Sequence, residues 1–488
     1  DLEGPGRLGL TLAPGKNQAS KQSYTWQRDL AADLDRLTGH YRADLLVTLI
    51  EDHEIRSLGI ASLSDEATTR GIRWLHHPIA DGGLPPDSAA LDPPLTVIHT
   101  ALDADQNVVV HCAGGLGRTG TIAGCILIDR GCPPGEALAR IRRARGPRCP
   151  ENEAQRAFIQ RHLGLRGRIA GTVLGAAIGD AMGAPVEFIE SVDTIRQRYG
   201  PDGITGFVDV RGHGDTRHAR YTDDTQMAEC VARGLLDSGA PGATLDDVMN
   251  AIAPRFIAWS QSPDLAGRAP GNACLSGCRA LAAGAPWHQA GGPTAGGCGS
   301  VMRAYPFGLV WSLDPHKAAR MAAEHSRLTH GDPIALAASA SMAGAIARLL
   351  TAVPDDQILD AMVADAREYS PKTADMIDRA IAEARDGTPP EVTLDRLRSW
   401  AAHEAIAAGA YLLARNPDDT RLAILEGANT PGDSDSIATL AGALLGARNG
   451  LASLPADWIR DVERSTELLA LAGRLHSTLE PDPPEGPR

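Results

Sequence analysis

Lysine is nearly absent from this chain of 488 residues: Lys16, Lys21, Lys317 and Lys372 are the whole set, and arginine carries the positive charge. Acidic side chains outnumber basic ones by 61 to 47, for a net charge of −14. Nucleic-acid binding by the chain as a whole is therefore not expected, because phosphate contacts need clustered cations. Aromatic residues are also scarce, at 4%. No run approaches the ~20 apolar residues that span a bilayer, and the opening DLEGPGRLGL lacks the basic-then-apolar pattern of a signal segment. Paired cysteines are missing too. The eight, at 112, 125, 132, 149, 230, 274, 278 and 298, follow neither a disulfide framework nor a CxxC…CxxC zinc pattern. They are read as reduced thiols of a cytoplasmic monomer with no membrane partner. Cys274 and Cys278 stand one helical turn apart and are expected to share buried helix surface, since no second ligand pair follows them.

Two textures divide what remains. Residues 1–164 mix short β-branched runs, DLLVTLIED (44–52) and NVVVHC (107–112), with helical patterns at 23–39, 121–131 and 152–164. That alternation predicts an α/β domain with a mostly parallel central sheet. Residues 165–479 are rich in Ala, Leu and Gly and read as helix after helix: 225–237, 246–259, 316–326, 333–351, 356–368, 373–385, 401–414 and 436–450. An all-α domain is predicted there, its small residues allowing close helix contacts. The junction HLGLRGR (162–168) is short, so the two domains are expected to abut. The Pro-rich tail 480–488 is expected to be disordered.

The stretch HCAGGLGRTG (111–120) ends a predicted strand and opens a predicted helix near Thr119. Gly114, Gly115 and Gly117 free the intervening backbone N–H groups to turn inward as an anion nest. A nucleotide P-loop would need a lysine that is not there. Cys112 and Arg118 instead have C-x5-R spacing, which curls the loop so that the guanidinium forks onto a phosphate above the sulfur. A helix N-terminus favours the thiolate, which would attack in line to give a phosphocysteine. Thr119 would hydrogen-bond the sulfur as it leaves. Asp81, in HHPIADGGLPPD, supplies the general acid from a Gly/Pro-rich loop, and Gln155 positions the hydrolytic water. These motifs resemble the cysteine-dependent dual-specificity phosphatases of the kinase-associated type, over about 150 residues. The resemblance implies phosphate monoester hydrolysis of a phosphorylated substrate without a cofactor. A domain that only binds a phosphorylated ligand is the alternative. Cys125 is read as core. Arginine density over 139–168 reads either as a solvated helix face or as attraction for phosphorylated substrates.

Further on, YTDDTQMAE opens a helix with Thr222, Asp223 and Asp224, and NTPGDSDSIATLAGALLGA opens another with Asp433, Asp435 and Ser436. Asp, Thr and Ser are ordinary helix caps, but a cap uses one oxygen. Two carboxylates at one terminus, twice over, suit one or two divalent cations, about 3.5–4 Å apart if two. With GTVLGAAIGDAMGAPVEF (171–188), GGCGSVMRAYPFGL (296–309) and RLTHGDP (327–333), these segments resemble the ADP-ribosylglycohydrolases, over about 300 residues. The resemblance implies an all-α fold around two Mg²⁺ or Mn²⁺ ions held by Thr222, Asp223, Asp224, Asp433, Asp435 and Ser436. It implies water attack at the anomeric carbon of ADP-ribose, with Glu187 as a catalytic or gating carboxylate. The segment with Gly297, Gly299 and Ser300 would cradle the diphosphate with backbone N–H groups, and His330 either supports the pocket or is structural. Asp180 serves the site or the packing alike. Gly297-Cys298-Gly299 stands where the family usually shows Gly-Asn-Gly. The partner implied is an ADP-ribosylated protein or small molecule; nucleic acid is not expected, though the resemblance leaves an ADP-ribosylated nucleic acid open. His213 and His218 are candidates to line the entrance.

Overall fold

A computed structural model of the chain describes residues 6–19, 25–208, 210–211, 218–351 and 353–479. The tail 480–488 and His213 lie outside the described residues. The chain divides into two compact units, one running to Gly167 and the other comprising Arg168–Leu479.

In the first unit, β1 (Leu8–Leu12), β4 (Ala43–Thr48), β5 (Arg73–His76) and β6 (Asn107–Cys112) form a wholly parallel sheet in the order β1-β6-β4-β5. The strands β2 (Asn17–Ala19) and β3 (Thr25–Gln27) pair apart from it. The central strands carry runs such as LLV and VVV, whose side chains are buried on both faces, as a parallel sheet requires. The predicted helix over 23–39 is corrected: the β-branched and aromatic TWQ pairs as β3, and the helix is Leu30–Gly39, capped by the Asp29 carboxylate accepting from Ala32 N–H. All four strands point their C-terminal ends the same way. The segments that leave β4, β5 and β6 therefore gather at one edge, where α/β sheets place their sites.

The second unit is helical, apart from a short pairing of Val210–Arg211 with His218–Ala219. The eight expected helices are all present, among them Asp223–Asp237, Pro333–Leu350 and Ser434–Asn449. Pro333–Leu350 is long and apolar enough by length and composition to cross a membrane, a match the sequence reading did not register. It is a core helix, 89% buried against Pro315–Ser326, Asp355–Arg367, Tyr305–Val310, Ala402–Arg415 and Ser434–Asn449.

A glycine stripe aligns the chemistry. The helix Leu165–Gly183 carries Gly171, Gly175, Gly179 and Gly183 at four-residue spacing, hence on one face. A Cβ at Gly171 or Gly175 would collide with the carbonyl oxygen of Gly446 or Gly442, one at Gly179 with that of Ala438, and one at Gly183 with the Asp435 backbone. Two backbones thus run flush, and the contact ends at the acidic N-terminus of Ser434–Asn449. Gly175→Ala gains helix propensity but overpacks this seam. It should destabilise the protein by about 1–3 kcal/mol in denaturant unfolding.

Candidate active sites

In the first unit, Cys112 is the last residue of β6 and almost fully buried. The chain then turns through Gly115, at φ +71°, where a Cβ would strike the Thr11 carbonyl. This bend lets Gly115 N–H donate to Cys112 Sγ at 3.2 Å. Gly114 faces open space, whereas Gly117 abuts Glu151 and Gln155. The helix begins at Gly117 rather than near Thr119, which sets Arg118 and Thr119 in its first turn. The Thr119 hydroxyl is buried and has no hydrogen-bond partner.

Arg118 is held from behind. Its Nη1 donates to Glu54 Oε2 at 2.6 Å and to the Ile79 carbonyl at 2.9 Å; its Nη2 donates to Glu54 Oε1 at 2.8 Å and Asp81 Oδ1 at 2.9 Å. Burial works against both charges of the Arg118–Glu54 pair. Their mutual hydrogen bonding and attraction outweigh it, raising the guanidinium's pKa and lowering the carboxyl's. Glu54 sits on the helix Asp52–Ser57 that leaves the β4 end, and Ile79 and Asp81 follow the β5 end. Asp81 is 76% exposed, the one solvent-facing member of the cluster. Gln155 is fully buried, accepting from Glu151 N–H at 3.1 Å and donating to the Gly83 carbonyl at 3.4 Å. It thus touches the Asp81 loop and the Gly117 turn together. Cys125 is core. Sequence reasoning missed Glu54. Removing its charge by Glu54→Gln leaves Arg118 buried without its counter-ion. Turnover of para-nitrophenyl phosphate should fall about 10–100-fold, equivalent to about 1.4–2.7 kcal/mol.

In the second unit, the two acidic helix starts meet. Ser436 Oγ donates to Asp224 Oδ2 at 2.9 Å, across 212 residues of sequence. Glu187, Asp433 and Asp435 place carboxylate oxygens within 4.8 Å of one another. Asp223, Asp224, Asp433 and Asp435 are all buried, and Glu187 half-buried. The capping reading accounts for little of this. Thr222 does cap its helix, accepting from Asp224 N–H at 3.3 Å, but Asp433 makes no side-chain cap bond. Among the described residues none of these five carboxylates forms an ion pair with Arg, Lys or His. Burial first, and Asp435 next, push the carboxyls of Asp180, Asp223, Asp224 and Asp433 upward, and Glu187 to about 10.

Buried carboxylates without a counter-charge are costly, and a set of hard oxygen donors suits Mg²⁺ or Mn²⁺. The residues present therefore fit a divalent cation. Thr222, Asp223, Asp224, Asp433, Asp435 and Ser436 would hold it, with Glu187 close enough to join them.

The surroundings fix this geometry. Asp180 accepts from Thr222 N–H at 2.8 Å, and from Thr225 N–H at 2.9 Å and its hydroxyl at 2.6 Å, so it holds the TDDT turn in place. Arg268, unforeseen from sequence, is buried and donates to the Tyr221 carbonyl and Glu463, while its own carbonyl accepts from Asp223 N–H. The His330 ring packs beneath Gly297 and Gly299, pushed down to about 3 by burial and by Arg303, and so is neutral. The Ser300 hydroxyl is buried, accepting from Ser326 and Ser339, which leaves its backbone N–H as the group for the turn's expected role. Cys274 and Cys278 are both buried on the helix Asn272–Ala282. His218 is half-buried on its short strand.

Residues 161–484, two thirds of the sequence, match the family model for ADP-ribosylglycohydrolase. The chain belongs to the ADP-ribosylglycohydrolase family. Residues 27–132 match a second model, described as "Polymorphic toxin system, DSP-PTPase phosphatase". Both are families of hydrolases. ADP-ribosyl-(dinitrogen reductase) glycohydrolase of Rhodospirillum rubrum is 26% identical over 319 residues, which span 63% of this chain and 97% of that protein. ADP-ribosylarginine hydrolase Tri1 of Pseudomonas putida is 27% identical over 315 residues, spanning 63% and 77%. A solved structure of kinase associated phosphatase is 27% identical, covering 31% of this chain and 83% of its own, with a TM-score of 0.29.

Proposed function

We propose that the chain is a bifunctional hydrolase: its second unit releases ADP-ribose from an ADP-ribosylated acceptor with a divalent cation, and its first hydrolyses a phosphate monoester through Cys112. The observation that carries the first half is the buried set of carboxylates around Asp435 with no ion-pair partner among the described residues. One or two Mg²⁺ or Mn²⁺ ions, when bound, would hold the ribose hydroxyls and lower the pKa of a water molecule. The chain's own groups do the rest. Glu187, half-buried at the edge of the cluster, accepts the proton of the attacking water. The water oxygen bonds to the anomeric carbon as the bond from that carbon to the acceptor breaks. The Gly297–Gly299 backbone takes the diphosphate, with neutral His330 beneath it adding no charge. The relatives' names point to an ADP-ribosylated protein, and arginine is the acceptor to test first. A panel of ADP-ribosylated acceptors with and without Mg²⁺ tests this half. Release from none of them in Mg²⁺ would refute it.

In the first unit, Cys112 Sγ attacks phosphorus while the leaving oxygen takes a proton from Asp81. A phosphate entering the Gly114–Gly117 turn replaces Asp81, the exposed partner, on Arg118, while Glu54 keeps the guanidinium oriented. Gln155 then positions water to attack the phosphocysteine, and the departing sulfur accepts from the otherwise unpartnered Thr119 hydroxyl. Domain boundaries at 1–164 and 165–479 are part of the same reading.

A further inference from the structure

One side chain reaches into the carboxylate cluster that neither half of the proposed chemistry uses. Cys298 starts the short turn Cys298–Ser300, and the residue before it, Gly297, bridges to Ala401 at the start of the helix Ala402–Arg415. The Cys298 thiol donates to Asp433 Oδ2 at 2.7 Å, and its sulfur lies 3.6 Å from Ser436 Oγ. Ser436 in turn donates to Asp224. The sulfur therefore touches two of the residues that would hold the cation and is one hydrogen bond from a third. Among the other cysteines, Cys274 lies beneath the same turn, but its sulfur contacts Gly299 and Arg303 rather than the carboxylates.

Sulfur changes what the site prefers. Carboxylate and hydroxyl oxygens suit Mg²⁺ and Mn²⁺, while a thiolate suits Zn²⁺ and Cd²⁺. We propose that Cys298 supplies a sulfur donor to this site, beside Asp433 and Ser436, so that the site captures thiophilic divalent ions that an all-oxygen set would hold weakly. The Cys298 proton passes to solvent as the sulfur binds the ion, with no change of oxidation state. The inference rests on the cation site of the preceding reading.

The test uses the full chain stripped with EDTA. Cd²⁺ is titrated while the ultraviolet sulfur-to-metal charge-transfer band is recorded, in the native chain and in Cys298→Ser, which keeps a donor to Asp433. Mn²⁺ binding is followed in both by electron paramagnetic resonance. The native chain should develop the band with one sulfur per Cd²⁺. In Cys298→Ser the band at that affinity should disappear and Cd²⁺ should bind about 100-fold more weakly, with Mn²⁺ affinity within about threefold of native. Mn²⁺ binding in both proteins with an equal band, or none, would overturn the role of Cys298 and leave the cation site standing. Failure of both ions to bind the native chain would overturn the two together.

Discussion

Asp435→Asn should lower ADP-ribose release by about 10³-fold or more, the rate equivalent of about 4 kcal/mol, and leave phosphate release unchanged. Asp435 places a carboxylate oxygen within 4.8 Å of those of Glu187 and Asp433, and its charge opposes those of Asp180, Asp223 and Asp224 as well. Removing its charge therefore takes away one of the oxygen donors proposed to hold the cation. The same substitution has an opposite effect on the metal-free fold. Without a cation, the carboxylates oppose one another in a buried space, so an isosteric amide relieves repulsion. In EDTA the variant should melt above the native chain, by about 2–4 °C for each kcal/mol of repulsion relieved. Adding Mg²⁺ should raise the native melting temperature and barely move that of the variant. A purely structural Asp435 would give the reverse, a lower melting temperature in EDTA.

The second large effect belongs to Cys112. Cys112→Ser should abolish release of phosphate from para-nitrophenyl phosphate, by a factor on the order of 10⁴–10⁶, because an alcohol replaces the nucleophile. ADP-ribose release should be untouched, since the two sites share no residue. Arg118→Lys should also be severe. A single ammonium cannot reproduce a guanidinium that meets Glu54 with two nitrogens while presenting another edge to phosphate. If the native chain binds inorganic phosphate yet turns over no phosphate monoester, the first unit is a phospho-ligand module, and the hydrolase acts alone.

Much of both candidate sites was legible because their motifs are written in short runs. C-x5-R occupies seven residues, and TDDT and GDSDS each open a helix, so side-chain type and spacing pointed to the two families and to the proposed chemistry without tertiary information. The parts that escaped share one property: their partners are distant in sequence. Glu54 looks like an ordinary helix-start carboxylate until Arg118 arrives from 64 residues away. Arg268 joins the TDDT turn to Glu463, 195 residues on. The strands β1 and β5 are short, LGLTL and RWLH, and become strands only by pairing with β6 and β4. The glycine spacing in 171–183 was visible as composition. Its purpose, a seam that delivers Asp435 to the cluster, needed the opposing glycines at 442 and 446.

The most direct test of the proposed cation dependence is release of free ADP-ribose from an ADP-ribosylarginine protein by the full chain. The chain is first stripped with EDTA, then assayed before and after Mg²⁺ is restored, with Asp435→Asn run in parallel. The expected result is negligible release in EDTA, recovery in Mg²⁺ for the native chain, and no recovery for the variant. Release undiminished in EDTA, or a variant as active as the native chain, would contradict it.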